Sequence, residues 1–237
     1  MVQLTKTRSL LFHLYPGIII TFCFVLITPT LVARQYPPQL GLLLSIIIAA
    51  IPVLLSHLLV AKKKEQKVSI LQLNGYTNKL PTGKLILYAT GLVVFAFFIW
   101  GVTQPLDKFI TDKLFSWLPA WYTVQDFNGY SKEAIQTTLI VNLLLNGALA
   151  PFVEEFYFRG YLLPRMQAWG KSAFIVNAVL FSLYHLWQPY VYVTLIISLM
   201  PMTYFVWKTK DLRLGILTHC LLNIVGAILS FGLLMKK

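Results

Sequence analysis

Pro151-Phe152-Val153-Glu154-Glu155-Phe156-Tyr157-Phe158-Arg159-Gly160 sets two adjacent carboxylates and a guanidinium into a chain otherwise dominated by hydrocarbon side chains. One such charge at the centre of a membrane-spanning helix costs about 2.5–3.5 kcal/mol on the insertion scale. Three charges so close together need partners, water or a chemical task. At helical spacing Glu155 and Arg159 are i, i+4 and pair on one face, whereas Glu154 is turned away by about 100°. One carboxylate is then neutralised locally and the other left free, as acid–base chemistry requires. The plainer alternative is a structural ion pair with a spare glutamate near a helix end.

Around this stretch the 237 residues are 57% hydrophobic and only 12% charged. Several apolar runs approach or exceed the roughly 18 residues that mark a spanning helix, too many and too long for a water-soluble core. The expected fold is all-α, a polytopic helical membrane protein in which residues 1–237 form a single membrane domain. The net charge of +12 does not call for nucleic acid. Its lysines and arginines cluster between apolar runs, as expected of loops on the cytoplasmic side of a bilayer. Cys23 and Cys220 lie inside apolar segments without disulfide or zinc-finger spacing.

About seven spans are expected, near residues 14–33, 41–61, 85–103, 133–149 running on into the charged stretch, 172–187, 191–207 and 214–235. Lys6 and Arg8 precede the first, and no small-residue cleavage site follows it, so it reads as a retained span and not a signal peptide. The segment from Lys62 to Lys84 carries six lysines against Glu65 alone, the strongest orientation signal. It is expected in the cytoplasm with the N-terminus, as are Arg165–Lys171 and Lys208–Arg213. The terminal Lys236-Lys237 would lie outside. Over Pro105–Tyr122 apolar residues and tryptophans alternate with Asp107, Lys108, Asp112 and Lys113 at helical spacing, which predicts one interfacial amphipathic helix. Its functional alternative is a gate.

The remaining intramembrane polar groups fall in the last ninety or so residues, 133–235 forming the catalytic helices. His185 follows Phe181 by four; His219 and Asn223 are four apart on one helix face, with Gly215 and Gly226 nearby. Asn142 and Asn146 are read as interhelical glue. Chemically the set suits hydrolysis: a free carboxylate takes a proton from water, a histidine holds that water, and a His–Asn pair donates to an oxyanion. Cys220 points about 100° away from His219, which argues against a thiol nucleophile. No His-Glu-x-x-His helix is present, yet Glu154, His185 and His219 are able to bind a divalent metal such as zinc once folded. No tightly bound metal is expected, because Glu155 is committed to Arg159 and Asn223 is a poor zinc ligand.

Glu154-Glu155-x-x-x-Arg159, Phe181-x-x-x-His185 and His219-x-x-x-Asn223, in that order, resemble the CPBP family (CAAX protease and bacteriocin-processing, also Abi) of intramembrane endopeptidases, as does the following Phe158-Arg159-Gly160-Tyr161-Leu162-Leu163-Pro164. The resemblance covers about 154–223. It implies peptide-bond cleavage by activated water, with Glu154 as base, Glu155 and Arg159 in support, and His185, His219 and Asn223 on the water or the oxyanion. The implied partner is a peptide or membrane-protein substrate, prenylated or bacteriocin-like, and the location is a multi-pass protein of a bacterial plasma membrane. The rival readings are a non-catalytic bacteriocin self-immunity or scaffold protein, and a proton-coupled transporter using the Glu/His set as a relay.

Overall fold

Helices carry the chain back and forth between a basic end and a far end of mixed charge. A computed structural model describes residues 1–235; Lys236 and Lys237, counted above as external, lie outside the described residues. The helices that matter here are α1 Lys6–Ala33, α2 Pro38–Lys64, α3 Thr82–Leu114, α4 Lys132–Arg165, α5 Ala173–Tyr184, α6 Pro189–Thr209 and α7 Leu212–Leu234. All but α5 are long and apolar enough to cross a membrane, so the chain is an all-α polytopic membrane protein.

The expected fifth span is the departure. Its helix has 12 residues, about 18 Å of rise against a hydrocarbon core of about 30 Å. The chain turns back at His185–Gln188, inside the bundle. The α3–α4 connection fills the remaining height: the Tyr122 hydroxyl donates to the Leu186 carbonyl at 3.0 Å, and the Val124 N–H donates to the Tyr190 hydroxyl at 3.1 Å. Backbone groups exposed by the early turn thereby find partners, as irregular chain at membrane depth requires.

No separate interfacial helix forms over Pro105–Tyr122. Its first part is the end of α3, and Ala120–Tyr122 is a single tight turn. The reason is a polar anchor. The Thr194 hydroxyl lies 2.7 Å from the Asp107 carboxylate and holds the end of α3 against α6.

Caps set several helix starts. Thr5 accepts from the Arg8 N–H, Ser131 from the Ala134 N–H and Asp211 from the Arg213 N–H. Prolines shape the interiors. Wide π turns over Ile46–Ala50, Leu145–Leu149 and Phe156–Leu162 each stop two residues before a proline, Pro52, Pro151 and Pro164. A proline ring clashes with the carbonyl four residues back and offers it no N–H; each of those carbonyls lies in the widened turn. For Pro164 the orphan is Gly160, and its carbonyl accepts from the Gly75 N–H at 2.9 Å.

The segments expected on one side of the membrane do meet at one end. The Leu4 N–H donates to the Arg165 carbonyl, Asn78 N–H to the Lys210 carbonyl, and the Leu80 N–H to Asp211. Arg165 is buried and reaches both Glu65 oxygens, at 2.9 and 3.1 Å, with further bonds to the Leu73 and Tyr161 carbonyls. Burial works to raise the Glu65 carboxyl, but the Arg165 guanidinium holds it below the usual carboxylate range. Asp211 is likewise kept low, burial being outweighed by Arg213 and the Leu80 N–H.

Candidate active site

Glu155 sits at the centre, fully buried on α4. Its Oε1 accepts from Arg159 Nη1 at 3.0 Å, the i, i+4 pair expected from spacing, and lies 3.0 Å from His219 Nδ1 on α7. The second contact joins residues 64 apart in sequence. Oε2 has no hydrogen-bond partner among the described residues and faces α7 at Gly215, where a Cβ would stand 2.7 Å from it. Glycine at 215 is thus what lets α7 approach the carboxylate. Arg159, also fully buried, donates to the Thr203 hydroxyl on α6 at 3.3 Å and lies over the Phe181 ring at 3.8 Å. Opposite charge, a hydroxyl and an aromatic face offset its desolvation.

Glu154 faces another way, as its rotation requires, but it is not without a partner. The Tyr184 hydroxyl on α5 donates to its Oε1 at 3.2 Å. Tyr184 is itself seated by α1, which comes so close at Gly17 that a side chain there would collide with the Tyr184 carbonyl. His185 caps α5, its Nδ1 2.8 Å from the Phe181 carbonyl. The Phe181 ring stands edge-on to both histidine rings, 4.9 Å from His185 and 6.1 Å from His219. Glu154, Glu155, Arg159, His185 and His219 are therefore one buried cluster built on three helices around Phe181.

A carbonyl and a carboxylate accept, so both histidines donate from Nδ1. Each then offers Nε2 as its free ring atom, a lone pair when neutral. The expectation that Glu155 serves Arg159 alone is corrected here, since the same oxygen also orients His219. Asn223 lies apart from the carboxylates. Its amide donates to the Asn146 carbonyl at 2.7 Å, and Asn146 in turn donates to Asn142 at 3.3 Å. Cys220 Sγ points toward the Ala148 carbonyl at 3.8 Å. Among the described residues no three His, Cys, Asp or Glu side chains are grouped to hold a metal ion.

Three contributors escape a reading of motifs. Tyr184 adjoins the motif histidine, and only the fold turns its hydroxyl to Glu154. Thr203 has helical spacing with nothing that reports its partner. His13, buried on α1, lies 2.9 Å from the Asn177 amide, which also donates to the Phe158 carbonyl at 3.0 Å, one residue before Arg159. Asn177 read as a polar residue of the fifth span, without an assigned role.

Residues 136–225 match the family described as type II CAAX prenyl endopeptidase, Rce1-like. The match holds all six motif residues, from Glu154 to Asn223. No curated protein and no solved structure matches the chain. Over this segment the chain is similar to the CAAX-protease-type membrane endopeptidases.

Proposed function

We propose that the protein hydrolyses a peptide bond within the membrane using water activated by Glu154. The observation that carries the reading is the division of labour between neighbouring carboxylates: Glu155 is held by Arg159 and His219, while among the described residues Glu154 has only the Tyr184 hydroxyl. Glu154 accepts a proton from water, whose oxygen attacks the peptide carbonyl carbon. The tetrahedral adduct collapses as Glu154 returns that proton to the departing amide nitrogen, and the C–N bond breaks. One neutral histidine, His185 or His219, accepts the water's other hydrogen through Nε2 and fixes its lone pair toward the substrate; Tyr184 keeps Glu154 in place. Asn223 donates to the oxyanion only if its amide leaves Asn146, which assigns it a position-dependent part.

The substrate is a peptide or membrane protein, the prenylated CAAX class being the first to test. Purified wild type should cleave a prenylated CAAX peptide or its unprenylated counterpart. Glu154→Gln should fold normally and lose about 10²–10⁴-fold in rate, the range for removing a general base. Cleavage by Glu154→Gln at the wild-type rate refutes the role. No cleavage by wild type of any candidate peptide favours the immunity or scaffold reading.

One observation favours a second reading, in which Glu154, His185 and His219 bind zinc. Both histidines are oriented through Nδ1 by an acceptor, as metal-binding imidazoles usually are. Stoichiometric zinc, with activity lost to chelator and restored by zinc, selects it; activity unchanged in chelator selects the metal-free route. The basic end is assigned to the cytoplasm on its charge. Cysteines placed in Lys62–Lys67 should resist impermeant label added to intact cells, and labelling there inverts the assignment.

A further inference from the structure

A cavity of about 710 Å³ opens between α1 and α2, on walls that include Tyr161 but none of the six motif residues. From Arg8 to Ile19 it follows α1 for roughly 17 Å, close to the roughly 15 Å depth of one leaflet's hydrocarbon. Phe12, Ile19, Val53 and Val60 make the wall apolar, and Arg8 and Lys64 stand at the rim on the basic end. Glu65, beside them, is engaged by Arg165, and the ion pairs among the described residues leave both rim cations unpaired. Deeper in the wall is His57, ringed by Phe12, Tyr15, Tyr157 and Tyr161. The Tyr157 hydroxyl donates to the Phe12 carbonyl at 2.9 Å, and the Tyr15 hydroxyl meets His57 Nδ1 at 2.9 Å. With Tyr15 donating, the ring proton is on Nε2, a polar donor in a mostly apolar slot whose lining also includes Ser56 and Tyr161.

We infer that this groove binds one anionic phospholipid of the basic-end leaflet. Its phosphate lies between Arg8 and Lys64, an ester carbonyl meets His57 Nε2–H, and one acyl chain fills the slot toward Ile19. Two uncommitted cations above a leaflet-deep apolar wall select a phosphate that carries a chain over a zwitterionic lipid or a free phosphate. The inference does not depend on the proposed catalysis.

The test uses full-length protein stripped of lipid in mild detergent, with dioleoyl phosphatidylglycerol, dioleoyl phosphatidylcholine and glycerol 3-phosphate as probes, read by native mass spectrometry and titration. Wild type should retain one phosphatidylglycerol at least tenfold more tightly than phosphatidylcholine. Losing two cations at about 1 kcal/mol each, R8Q/K64Q should bind phosphatidylglycerol roughly thirty-fold more weakly and phosphatidylcholine unchanged. Val53→Trp, which fills the slot and leaves the cations, should also lose the lipid, and it carries the test if the double variant fails to fold. Equal retention of the two lipids, unaltered binding by R8Q/K64Q or by Val53→Trp, or equal competition by glycerol 3-phosphate would overturn the inference.

Discussion

Replacing Arg159 by methionine keeps much of its volume and removes its charge, leaving the Glu155 carboxyl without its charged partner. Both partners of the pair are fully buried at 3.0 Å, and breaking a buried pair costs about 3–5 kcal/mol. The guanidinium also covers Phe181 at 3.8 Å, a contact worth up to about 2 kcal/mol when desolvated. Arg159→Met should therefore lose about 4 kcal/mol, and Glu155→Gln, which strands the guanidinium, about 3 kcal/mol. Together the two changes strand no charge, and the glutamine carbonyl still accepts from His219, so the double variant should lose only about 2–3 kcal/mol plus any ring contact. Far from adding, the effects should show a coupling of about 2–5 kcal/mol. Unfolding of wild type, both singles and the double in one mixed-micelle system measures it, with stability as the readout because all three variants touch the site. Additivity within about 0.5 kcal/mol would falsify the claim that Glu155 and Arg159 stabilise the fold as a charge pair.

Tyr184→Phe should leave the fold intact and lower kcat about ten-fold or more with KM little changed, since a hydrogen bond to a charged group is worth about 1.5–3 kcal/mol; steady-state kinetics separate the two constants. Gly215→Ala would set a methyl against Glu155 Oε2, a carboxylate pinned by Arg159 and His219, so a loss of about 1–3 kcal/mol together with lost activity is expected from thermal unfolding and assay. Because the folded Glu65 carboxyl is held below its ordinary value, its contribution is complete above that value and fades as pH falls through the lowered one. Melting scans from neutral to acid should therefore show Glu65→Gln narrowing its stability deficit toward low pH, and a constant deficit would count against the Arg165 pairing.

The Glu155–Arg159 pair was legible because a helix makes i, i+4 neighbours whatever surrounds it. The motif order carried the resemblance for the same local reason, and of the seven spans that the apolar runs marked, six are long and apolar enough to cross a membrane. Depth was not legible. Composition gives α5 as apolar as a full span, and only the packing of Tyr122 and Val124 under its end explains why it stops at Tyr184. Nor could spacing place His219 on Glu155, an encounter between helices whose closeness is set by Gly215. Asn223 shared a face with His219, and four residues of rise were enough to take its amide to Asn146 instead. The α1–α2 cavity had no local signal, because its cations read as ordinary loop charge.

The wide turns of α4 bear on how such helices tolerate change in length. A π turn is an α-helix that has taken in one extra residue, and everything after it is already rotated to suit. Deleting one residue within Leu145–Leu149 can close that turn to α geometry while Glu154 and Glu155 keep their faces. The same deletion in the regular stretch Lys132–Leu144 would swing the helical stretch before the wide turn by about 100°. Two chains of this architecture can thus differ by a residue upstream of the glutamates and present them alike, so residues are best matched by counting back from Glu154 rather than forward from the start of the helix.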